Sequence, residues 1–137
     1  MKQALLIGGL VVAMSGVSFA QGTDIHTRCT PPGGHFILDA NTPIFNYEAT
    51  ISGTTLAYVA TLDVFHNGVR KATFLQTVLV PPPSYSFIAP VGMESWGLKA
   101  GDTVTFSLRV VSLGLGKLLS QHVIFGDVVE VPRTTEN

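Results

Sequence analysis

Apolar and polar positions alternate over much of this chain. From residue 103 the sequence reads TVTFSLRV, which puts Val104, Phe106, Leu108 and Val110 on one side and Thr105, Ser107 and Arg109 on the other. Successive side chains point to opposite faces of a strand, so this stretch predicts a β-strand with one buried and one wet face. In residues 55–80, Leu56, Tyr58, Ala60, Leu62 and Val64 share a face, while Ala57, Val59 and Phe65 lie on the other with Thr61 and Asp63. Apolar groups on both faces predict a central or covered strand. Asn67-Gly68 separates that run from the next, and both residues tolerate the positive φ of a two-residue type I′ turn. The partner strand begins at Val69 and stops before Pro81, which has no N–H to give a ladder. Further strands are predicted at residues 35–38, 44–51, 85–89 and 118–131, with Gly126 marking a bulge or bend in the last. Residues 113–117 read as a glycine-containing hairpin loop, and residues 90–102 as the longest connection.

No stretch after the first twenty residues repeats apolar positions at i, i+3, i+4 and i+7. The predicted fold is all-β: a two-sheet antiparallel sandwich of Greek-key type with about seven strands. The stretch GLKAGDTVTFSLRVVS, residues 97–112, resembles the turn and following strand of secreted bacterial immunoglobulin-like and fibronectin type III-like modules. There, a Leu-x-x-Gly-Asp/Glu turn leads into a strongly alternating strand. The resemblance covers about one eighth of the chain and implies an immunoglobulin-like architecture; it implies no site residues. The Cys…Trp…Cys framework of antibody-type domains is absent, because Cys29 is the only cysteine.

The first twenty residues, MKQALLIGGLVVAMSGVSFA, change the picture. Lys2 gives a short positive start, an apolar stretch follows, and Ser18-Phe19-Ala20 supplies small residues for cleavage. That is the layout of a secretory signal peptide, which predicts export to the periplasm or the medium. Gly8, Gly9, Ser15 and Gly16 interrupt the run, so no stable membrane span is expected after cleavage. A lipoprotein would carry its cysteine directly after the apolar region, whereas Cys29 follows His26-Thr27-Arg28. The expected organisation is a signal peptide at 1–20, a lead-in loop at 21–34, a β-sandwich at 35–131 and a polar tail at 132–137. The remaining 117 residues suffice for one core. Charged residues are only 12% of the chain, against about 25% in an average soluble protein. With 8 basic and 9 acidic residues there is no basic excess for nucleic acid, and no polybasic membrane patch.

Candidate chemistry is sparse. The segment HTRCTPPGGH, residues 26–35, holds two of the four histidines. His26, Cys29 and His35 offer three ligand types suited to zinc or copper, but strong zinc signatures come as two ligand pairs. A lone exported thiol at Cys29 could instead join two chains through an intermolecular disulfide. Thr30-Pro31-Pro32-Gly33-Gly34 is loop chemistry, and the plain expectation is a surface crossing. Ser95 does not complete a Gly-x-Ser-x-Gly elbow and lacks its strand-to-helix context. Tyr85, Met93 and Trp96 are the candidate ligand-binding residues, an aromatic platform for a glycan or peptide, with burial of Trp96 as an end plug the competing expectation. The leading expectation is an exported, non-enzymatic β-sandwich without cofactor. Its role would be structural or protein-interacting, with self or another exported protein as partner. The two-sided strand at 56–65 and an edge at 123–131 would serve association. The alternatives are a carbohydrate- or small-ligand-binding module using the Trp96 loop, and a small metal protein using His26, Cys29 and His35.

Overall fold

The computed structural model describes residues 23–27, 34–41 and 44–130. The signal peptide expected at 1–20, Cys29 and the tail at 132–137 lie outside the described residues. Among the described residues eight strands follow in order: β1 (Asp24–Thr27), β2 (His35–Asp39), β3 (Ile44–Ser52), β4 (Tyr58–His66), β5 (Val69–Val78), β6 (Ser84–Gly92), β7 (Thr103–Ser112) and β8 (Leu118–Val129). The only helical element among the described residues is one 3₁₀ turn, Glu94–Trp96. The chain is all-β, in two sheets: a three-stranded one ordered β1-β3-β6 and a five-stranded one ordered β2-β8-β7-β4-β5.

Strand β7 buries every second residue, as its alternation predicts, and Val104, Phe106, Leu108 and Val110 are wholly inaccessible. Its register puts Phe106 opposite Val64 of β4 and Ile124 of β8, so these three side chains share the inner face. Strands β3 and β6 line the other wall with Tyr47, Ala49, Ile51, Phe87, Ala89 and Val91. Aromatic rings join the walls. Phe106 lies 4.9 Å from Phe45 and 5.7 Å from Tyr47, and Phe36 of β2 packs 5.3 Å from Phe45.

Strand β4 runs between β7 and β5, the interior position its two-sided apolar pattern predicts, and its outer-face Val59 and Phe65 are half-buried. Asn67 and Gly68 have φ of 49° and 85° and join β4 to β5 in the two-residue turn. One extra residue enters β5 near Lys71, where the register shifts beside Val64 and Phe65. Pro90 stands in β6, at the edge of the three-stranded sheet, where a missing N–H is tolerated.

Several expectations need correction. The lead-in at 21–34 contains a strand, β1, whose four residues pair antiparallel with Ala49 to Ser52 of β3. A four-residue strand is too short for periodicity to reveal. Leu56 is not in β4; it stands in the preceding loop and is 52% exposed. The segment at 123–131 is not a free edge, because β2 pairs with Phe125 to Val129 of β8, and it pairs in parallel, so the expected antiparallel sandwich contains one parallel pair. Gly126 makes neither bulge nor bend: the β7–β8 register runs straight through it and shifts instead at Val110/Val111. A Cβ at 126 would come within 2.9 Å of the Phe36 ring, so the glycine serves close approach.

Candidate functional site

Strand direction sorts the connections onto two ends. At one end are the β4–β5 turn, the β6–β7 connection with Trp96, and the close of β8. At the other are the β3–β4 loop (53–57), the β5–β6 loop (79–83), the β7–β8 loop (113–117) and the start of β1.

The predicted site residues are divided between these ends. Met93 is buried and Trp96 is half-buried against the core at the first end, where the indole stacks on the His66 ring at 6.5 Å. Tyr85 stands at the opposite end of β6, edge-on to Tyr58 at 6.5 Å, with its hydroxyl donating to Gln76 Oε1. The structure therefore does not bring Tyr85 together with Met93 and Trp96, because a nine-residue strand keeps them apart. His26 lies on the outer face of the three-stranded sheet, 2.9 Å from Asp24. His35 lies on the outer face of the five-stranded sheet, stacked on Phe125 at 5.0 Å and 3.6 Å from Asp127. The whole sandwich separates the two imidazoles, and one ion needs ligands within about 2 Å of itself. Among the described residues, no group of three or more His, Cys, Asp or Glu side chains is placed to hold a metal.

At the Trp96 end the polar groups bind one another. His66 Nε2 donates to Asp102 Oδ2 at 2.8 Å, and Lys99 N donates to the same oxygen at 3.1 Å. Asn67 and Thr103 exchange two bonds, of 2.8 and 2.9 Å. The bond from His66, with a contribution from Asn67, holds the Asp102 carboxyl down at about 2. This closes one end of the sandwich.

The other end has a different chemistry. Of eleven strongly exposed large apolar side chains among the described residues, six stand there: Leu56, Leu79, Val80, Leu113, Leu115 and Leu118. Val80 is 87% exposed and Leu115 79%. The β7–β8 loop is tight, with Gly116 left-handed at φ 64°. Ser112 N donates to Lys117 O and Gly116 N to Ser112 O, and Leu113 N donates across to Ala57 O at 2.9 Å. With the backbone bonded inward, the leucines are left outside. Pro81-Pro82-Pro83 stiffens the β5–β6 loop behind Leu79 and Val80. Between the β3–β4 and β7–β8 loops opens a cavity of about 310 Å³. The buried Thr54 and Ser112, with Thr23, put hydroxyls in its depth; Leu56, Leu115 and Leu118 form its rim. Thr23 and Thr54 bond each other there at 2.7 Å. Nearby, Tyr58 is buried beside Tyr85, and burial raises its phenol to about 12.

The sequence predicts the loop at 113–117 but not this site. The leucines are unremarkable singly, and only the strand order brings three distant loops together. No protein-family model and no curated protein matches the chain.

Proposed function

We infer that this chain is an exported, non-enzymatic module of immunoglobulin-like Greek-key architecture that acts by contact through the Leu115 end. The concentration of exposed aliphatic side chains on three loops carries the reading, because oily loops gathered at one end mark an interaction surface. The strand order supports the architecture. The first edge is shared between the sheets, β1 running antiparallel to β3 and β2 parallel to β8, and the chain changes sheet from β3 to β4, β5 to β6 and β6 to β7. The layout of residues 1–20 supports export.

Site-specific photo-cross-linking in exporting bacterial cells tests the reading. A photoreactive residue at Leu115 is expected to form cross-links, and one at Ile88, which is 52% exposed on the outer face of the three-stranded sheet, is not. Equal yields from the two positions, or cross-links from Ile88 alone, would remove the loop end as the contact surface.

A further inference from the structure

We propose that the Leu115 end docks on a lipid surface, its aliphatic side chains entering the outer acyl region while the sheets remain in water. The proposal rests on the reading of that end as the contact surface and names what covers it.

Three observations favour lipid over a protein groove. First, charge is distributed unevenly along the long axis. Asp39, Glu94, Lys99, Asp102, Asp127 and Glu130 lie at or near the Trp96 end, whereas the three loops at the other end contain no acid and one cation, Lys117. Asp24, opposite Ser52 where β1 begins, is bonded to His26. No carboxylate in the loops would have to be desolvated, and the single charge has the sign that anionic headgroups attract.

Second, six residues of these loops offer no free backbone donor. Prolines at 81, 82 and 83 have no N–H, and the amides of Leu113, Gly116 and Lys117 are bonded to Ala57 O, Ser112 O and Ser112 Oγ. An apolar phase penalises each unsatisfied backbone group, so these six positions lower the cost of entry.

Third, the apolar groups project from separate loops, and Leu56, Leu115 and Leu118 stand around an open cavity. A rigid protein partner would need a matching relief to pack against them at interior density. A fluid acyl layer conforms to any relief, and side-chain insertion of about 5–10 Å suffices for interfacial binding.

Flotation with phosphatidylcholine vesicles, with and without phosphatidylserine, tests this on the chain recovered after export. Binding to both is expected, and phosphatidylserine should strengthen it by no more than about fivefold, the effect of one cation near a charged surface. Leu115→Asp and Val80→Asp should each weaken binding at least about tenfold, because an inserted aliphatic group is lost and a charge replaces it. Ile88→Asp should leave binding unchanged. The variant sites are exposed, and unchanged circular dichroism checks that the fold persists. The only tryptophan, Trp96, is at the far end. Brominated lipid should therefore leave its emission untouched, yet quench the added emission of the Leu115→Trp variant.

Vesicle binding that survives both aspartate substitutions, or quenching of Trp96, would overturn the proposal. So would no vesicle binding with cross-links from position 115 to a protein, or with a dimer that Leu115→Asp dissociates; either leaves the contact surface itself standing. The absence of vesicle binding and of cross-links together would overturn both.

Discussion

Two carboxylates show how this chain uses its few charges. Asp63, on the outer face of the five-stranded sheet, is 6% exposed; it accepts from Thr73 Oγ1 at 2.8 Å and Arg109 at 3.1 Å. Asp102 accepts from His66 and the Lys99 amide, and its own carbonyl accepts from Val128 N at 2.9 Å. Asp102, held by donors inside the fold, is a pH-dependent fastener. Asp102 titrates near 2 in the folded protein, against an ordinary 3.8. The unfolded chain therefore binds the proton first as the solution is acidified, and stability falls over that interval. The contribution is complete above about pH 4 and is lost as the pH drops toward about 2. Asp102→Asn keeps an oxygen for the Lys99 amide and removes the titration. Urea midpoints measured from pH 5 down to pH 2 should decline for the parent and flatten for the variant below about pH 4. Parallel curves would assign the acid sensitivity to other carboxylates.

At the scale of elements, β2 and β8 are joined by a contact that only glycine permits. A Cβ at position 126 would lie 2.9 Å from Phe36 Cζ and 3.3 Å from Cε2. The Phe36 ring cannot easily yield, being stacked on Phe45 at 5.3 Å and tilted against Phe106 at 6.0 Å. Gly126→Ala should cost about 1–3 kcal/mol by overpacking. In a Phe36→Leu background the same change should cost clearly less, because the shorter side chain leaves space for the methyl; denaturant titration of the four proteins measures the coupling. An equal cost in both backgrounds would separate Gly126 from Phe36. The contact illustrates what was legible in the sequence. Asn67-Gly68 announced its turn because positive φ is a local demand, met at 49° and 85°. Strand β7 was legible because both of its faces follow one period. Gly126 is ambiguous in the sequence, since a glycine in a strand looks the same whether the chain bends there or a ring from another strand lies over it. Strand β1 was missed because β3, not its own four residues, makes it a strand. Periodicity alone places Leu56 in β4, because it ignores the loop that ends at Ala57. The loop end could not be read because its members lie in three loops separated by at least twenty residues and at the first residue of β8.

The whole molecule depends on one apolar layer between the sheets. Phe106 occupies its middle: it belongs to β7, yet its ring meets Tyr47 and Phe45 of β3 and Phe36 of β2. A side chain at that junction does not stabilise one sheet more than the other, because neither sheet has a second apolar layer to fold upon. The two should therefore unfold as a single unit, despite the difference in chemistry between their ends. Phe106→Ala removes the ring and should cost about 3–5 kcal/mol, a large share of the 5–15 kcal/mol typical of a domain. Phe106→Leu keeps most of the volume and should cost about half as much or less. In both variants, far-ultraviolet circular dichroism, which follows strands, and Trp96 emission, which follows the closed end, should give coincident transitions. If Trp96 emission changed at a lower urea concentration than the strand signal, the closed end would be a separate unit. The acid-sensitive fastening by Asp102 would then act on that end alone, and not on the sandwich as a whole.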